Sequence, residues 1–141
     1  MKANKLEAIS ELRFNDYIVE ETLFRTNLDF HGEEVELQFS FNAQLHISPE
    51  KDKAIVDLTC KVFDEEFMGK TAPFYLKMCM KGFFDCVDME IEQFRVNAVA
   101  ILLPFMRATI ASFTVQTGIP AVIIPPINVY NLFKKNKTSK K

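Results

Sequence analysis

From Glu34 to Ile47 apolar and polar residues alternate without a break, with Val35, Leu37, Phe39, Phe41, Ala43, Leu45 and Ile47 on one side and Glu34, Glu36, Gln38, Ser40, Asn42, Gln44 and His46 on the other. Period two predicts a strand with one buried and one wet face. At that length it would reach roughly 50 Å, longer than a typical strand, and so should twist or bend. Pro49 and the charged run 50–53 read as a turn, after which Ala54, Val56, Leu58, Cys60 and Val62 alternate again as a second arm. A polar connection from Asp64 to Pro73 leads to a third alternating run, Phe74, Leu76, Met78 and Met80, that ends near Gly82. Leu12 to Phe24 is also β-rich, but Asn15, Asp16, Glu20 and Glu21 interrupt its alternation and leave its register open. An antiparallel sheet with one solvated face is the natural context for such strands.

The period then changes. Glu90, Glu92 and Gln93 open a helix, with carboxylates where the macrodipole favours them. Pro104 should kink this helix or split it in two, because its ring removes a backbone donor. Gly118 is placed to end it in the left-handed conformation. Ile101, Leu102, Leu103, Phe105, Met106, Ile110 and Phe113 spread over more than one side of the helix, so one sheet is expected to leave part of it for a further layer, read here as another subunit. Beyond Gly118, the stretch IPAVIIPPINVYNLF is held extended by Pro120, Pro125 and Pro126 and is too apolar for an ordinary loop. It is therefore either buried or a contact surface.

The order of these parts resembles the SecB family of export chaperones. There a helix carrying an aliphatic residue, Phe or Leu, Pro, aromatic, x, Arg is followed by a Gly-x-Pro turn and by Pro, Val or Ile, Asn or Asp, aromatic, x, x, Leu. Leu102, Pro104, Phe105, Arg107, Gly118, Pro120, Pro126, Ile127, Asn128 and Leu132 sit on that pattern, and Val129 stands where the family has an aromatic residue. The resemblance implies an α+β fold with a four-stranded antiparallel sheet on a long kinked helix, a dimer of dimers, and a groove that holds unfolded polypeptides in extended form. The implied groove wall is Ile123, Ile127, Val129 and Leu132, with Phe39 and Phe41 from the long strand. Family members continue into a longer amphipathic lid helix, whereas this sequence has eight lysine-rich residues after Phe133, which implies a short or absent lid. Members that deliver clients to the SecA motor carry acidic residues on the outer sheet face. Asp16 and Glu20 match two of these positions and the third is Lys77. An ammonium in place of a carboxylate repels a basic partner, so docking on SecA is in doubt.

Composition narrows the reading further. The 141 residues suit one domain, taken as 1–133, followed by a basic disordered tail over 134–141. The net charge of −2 includes five lysines in that tail, which leaves the body acidic. The tail reads as a solvated segment, so no nucleic-acid partner is expected. The apolar runs 98–106 and 119–126 are too short to span a bilayer and prolines interrupt both, and the N-terminus lacks a continuous apolar core, so neither membrane insertion nor export of this chain is expected and a cytoplasmic location is. Cys60, Cys79 and Cys86 show no CxxC spacing, and with His31 and His46 they match no common metal ligand set. Phosphate loops, nucleophile elbows and HExxH are absent, so no enzyme and no cofactor are expected.

Fourteen Phe and six Met offer instead adaptable apolar contact area. The expected function is that of an ATP-independent holdase for unfolded chains, serving export or a dedicated client such as an antitoxin. A lipid- or small-ligand-binding protein, or a structural oligomer, is the alternative.

Overall fold

Inward-facing Ala54, Val56, Leu58, Cys60 and Val62 alternate along one strand and Leu76, Met78, Met80 and Phe84 along the next, and the sheet is built outward from this pair. The computed structural model describes residues 12–32, 34–50, 52–86 and 90–132; the expected tail over 134–141 lies outside the described residues. Four strands, β1 (Leu12–Thr26), β2 (Phe39–Ile47), β3 (Lys53–Val62) and β4 (Phe74–Cys86), form one antiparallel sheet in the order β1-β4-β3-β2. A short helix α1 (Asp64–Met68) occupies the connection between β3 and β4, and the long helix α2 (Ile91–Gln116) follows β4. The fold is α+β, as the alternation and the helix pattern indicated.

The unbroken alternation from Glu34 overstates β2, which begins only at Phe39. The reason lies in its partner: β3 ends at Val62, and Phe63 takes a left-handed φ of 59° to open α1, so nothing continues the ladder. The last bond across it is the Phe63 amide donating to the Gln38 carbonyl at 2.9 Å. In β1 the pairing with β4 slips between Phe14 and Asp16 and again between Val19 and Glu21. These are the polar positions that interrupted the sequence pattern. Each bulge resets the alternation, so that Leu12, Phe14, Tyr17, Val19 and Phe24 all pack toward the core.

Helix α2 continues unbroken through Pro104, so the expected split into two helices does not occur. It lies across the inner face of the sheet and buries Phe94, Ala98, Val99, Leu102, Met106 and Ile110. The helix crosses β4 closely at Gly82: a Cβ there would come within 2.7 Å of both Leu102 methyl carbons. By length and composition alone α2 is long and apolar enough to cross a membrane, at a mean hydropathy of 1.7, which the short apolar runs did not reveal. In this fold its most buried side chains face β1, β3 and β4. Ile91, in the first turn, and Val115, on the side away from the sheet, are exposed, and Phe105 is partly exposed while keeping ring contacts with Phe14 and Tyr17 at 5.4 and 4.8 Å. Gly118, with φ of 97°, follows the last turn as expected.

Candidate functional site

Two side chains of α2 fix the proline-rich segment that follows it. Arg107 Nε donates to the Ile124 carbonyl at 2.8 Å. The buried Thr114 hydroxyl accepts from the Val122 amide at 2.9 Å and donates to the Ile110 carbonyl at 2.8 Å. Val122 and Ile124 turn inward, the second with no exposure at all, and burying two such side chains contributes about 1.5–3 kcal/mol each. Ile123, between them, faces away from the core and is 65% exposed. The segment is therefore extended and one-sided, held on the helix by two bonds and two anchors. At its end Asn128 caps a helical turn over 129–132: its side-chain oxygen accepts from the Asn131 amide at 3.3 Å and its carbonyl from the Leu132 amide at 3.1 Å.

Between β2, α2 and this segment lies an apolar cavity of about 180 Å³. Phe41 forms its sheet side, Ala100, Leu103, Pro104 and Arg107 its helix side, and Ile124, Pro125, Pro126, Ile127 and Val129 its segment side. The structure thus brings together three of the expected groove residues, Phe41, Ile127 and Val129. Phe39 packs its ring 5.9 Å from that of Phe41 but lines a neighbouring, more polar cavity with Gln38, Lys61, Asp64 and Glu66. Leu132 is half-buried against the core, and neither it nor Ile123 lines the apolar cavity. The helix contribution was absent from the expected wall, although Ala100, Leu103, Pro104 and Arg107 recur at spacings of three and four and so share one helix face.

Beyond the cavity, the inner side of β2 is incompletely covered. Phe39, Ala43, Leu45 and Ile47 are only half-buried, whereas the corresponding residues of β3 are buried throughout. Cavity and row form one apolar strip along the edge of the sheet.

The outer face of the sheet carries a chain of polar and charged contacts that crosses all four strands. His46 on β2 meets Asp57 on β3 at 2.9 Å, Lys81 on β4 reaches Asp57 at 2.6 Å, and the same ammonium lies 3.6 Å from Glu20 on β1. The hydrogen bond to Asp57 raises the Lys81 pKa. Lys77 lies 3.9 Å from Glu21, and Asp16 accepts its neighbour's amide at 2.8 Å. Two of the three positions compared with motor docking, Glu20 and Lys77, are thus engaged in ion pairs within the sheet.

Cys60 is fully buried and desolvation pushes its thiol up to about 12, so it is a core residue without nucleophilic character at neutral pH. Among the described residues, no group of three or more His, Cys, Asp or Glu side chains is placed to hold a metal ion.

Comparison with known proteins places this geometry. An uncharacterised protein of Methanocaldococcus jannaschii is 30% identical over 123 residues, which span 84% of this chain and 79% of that protein. Among solved structures, the SecB-like chaperone of Mycobacterium tuberculosis, in complex with a ChAD peptide from the HigA1 antitoxin, superposes with a TM-score of 0.66 over 86% of this chain and 94% of that one. The identity there is 12%, so that likeness concerns the fold. The family described as preprotein translocase subunit SecB matches residues 17–140, and the chain belongs to the SecB family.

Proposed function

We propose that the protein is an ATP-independent holdase that binds unfolded polypeptides along the strip formed by the apolar cavity and the inner side of β2. The observation that carries this reading is the size and setting of the cavity. Pockets that enclose a small ligand run to about 300–1,000 Å³. A cavity of about 180 Å³ takes one or two side chains, and it continues into the half-buried row Phe39, Ala43, Leu45 and Ile47. A groove of that form suits successive apolar side chains of an extended chain better than a lipid or a compact ligand. Phe41, Ile127 and Val129 would form its wall, with Phe39 and Leu132 at its ends and Ile123 outside it. Neither a cofactor nor a covalent step is needed, because binding draws on apolar burial.

Within this function two roles differ in partner. One is general export by way of SecA; the other is service to one client, such as an antitoxin, in the cytoplasm. The Lys81–Glu20 pair and the ammonium of Lys77 favour the second, since one of the two matching carboxylates is neutralised within the sheet and the third position carries a positive charge that repels a basic motor. The exposed Val115 on the far side of α2 and Ile91 in its first turn fit burial against further copies, and a homotetramer is part of the proposal.

The test is suppression of aggregation of a chemically unfolded protein, measured without nucleotide and repeated in the presence of a small apolar dye. The holdase should suppress aggregation at stoichiometric amounts, with little competition from the dye. A folded oligomer that leaves aggregation unchanged would reject the reading.

A further inference from the structure

We infer that clients bind by adding a strand to the free edge of β2, so that backbone pairing as well as apolar burial holds them. This rests on the holdase reading and specifies how its groove works. Two bonds set the phase of the β2 ladder: the Phe63 amide donates to Gln38 and the Ser48 amide to the Lys53 carbonyl, each at 2.9 Å. Hydrogen-bonded and open pairs alternate in an antiparallel ladder, so the even-numbered residues of β2 are the ones bonded to β3. The odd-numbered residues, Phe39, Phe41, Ala43, Leu45 and Ile47, direct their amides and carbonyls away from the sheet. Among the described residues, no backbone hydrogen bond from another element reaches them. The same five residues carry the inward apolar side chains. One set of positions therefore offers both the unpaired backbone and the uncovered apolar face.

The two edges of the sheet differ in a way that supports this. Free edges invite pairing, and proteins ordinarily blunt them with charge, proline or bulges. The β1 edge has two bulges and carries Arg13, Asp16, Glu21 and Arg25. The β2 edge, FSFNAQLHI, has neither proline nor formal charge apart from the titratable His46, and its register is regular throughout. It has the properties of an edge made to be paired. An occupant whose apolar side chains recur every second residue would extend the inner face beside Phe41 and the cavity, which identifies it as an extended polypeptide segment.

The probe is a short peptide of alternating Val and Thr, prepared unmodified, with N-methyl groups on the Val amides, and with N-methyl groups on the Thr amides. A strand has its amides on alternating edges, so edge pairing predicts that one phase of methylation weakens binding by at least about tenfold while the other changes it little. Hydrogen exchange supplies the second readout: the amides of Ala43 and Leu45 should exchange freely in the protein alone and become protected with the unmodified peptide. Equal effects of the two phases, or protection of those amides before peptide is added, would overturn edge pairing while binding of the unmodified peptide keeps the groove. Failure of the unmodified peptide to bind at all would count against the groove itself.

Discussion

Thr114 is a single hydroxyl on which the placement of the groove wall depends. It is fully buried and accepts the Val122 amide, so Thr114→Val would leave that amide without a partner, at a cost of about 1–3 kcal/mol. Thr114→Ser keeps the hydroxyl and should cost less, as denaturant midpoints of the two variants would show; equal midpoints would remove the bond from the account. At Gly82 the issue is space. An added methyl meets Leu102 at 2.7 Å, so Gly82→Ala should destabilise by about 1–3 kcal/mol through overpacking. Combined with Leu102→Ala it should cost less than the two single changes together, because the contact with Leu102 is gone and only that with the Phe84 ring at 2.9 Å remains. Cys60 gives the fold a pH dependence of defined sign. Its folded pKa of about 12 lies above the ordinary 9.0, so stability is unaffected below 9. Above that, the unfolded thiol loses its proton while the folded one keeps it, and stability falls by up to about 1.4 kcal/mol per pH unit. Unfolding titrations of the protein and of Cys60→Ala from pH 8 to about 11 would show a steeper fall with the thiol present, over the fall that the raised Tyr75 and Lys81 give to both.

At the scale of elements, what could be read in the sequence depended on whether a rule was local. Alternation located β3 and β4 because both are interior strands with an unbroken period and a buried face. It overextended β2 because strand length is set by the partner, and the partner turns away at Phe63. It left β1 ambiguous because two bulges each shift the phase by one residue, which a sequence shows only as misplaced polar side chains such as Asn15 and Glu20. The helix was legible from its caps, with Gly118 where the chain needs a positive φ. Its continuity through Pro104 was not, since packing on the sheet outweighs one missing backbone bond. Of the residues lining the cavity, Phe41, Ile127 and Val129 were named through the family resemblance, whereas the one-sidedness of the segment, which turns Ile123 outward, depends on bonds from Arg107 and Thr114 made across the fold.

At the scale of the whole molecule, the two sheet faces divide their tasks. The outer face is tied together by hydrogen bonds and ion pairs within it, from His46 across to Glu20. The inner face is covered by α2 over β3 and β4 but only partly under β2, and the proline-held segment walls off the remaining strip. This incomplete cover is the basis of the proposed binding of unfolded chains. The central test is the affinity for a chemically unfolded polypeptide of the protein, of Ile127→Asp and Val129→Asp, and of Lys77→Ala as an outer-face control, each shown by circular dichroism and light scattering to keep its fold and assembly. A carboxylate in an apolar wall must be desolvated when a client fills the groove, so the account predicts that both aspartate variants lose at least about tenfold in affinity while Lys77→Ala binds like the parent protein. Folded aspartate variants that bind as tightly as the parent would contradict it.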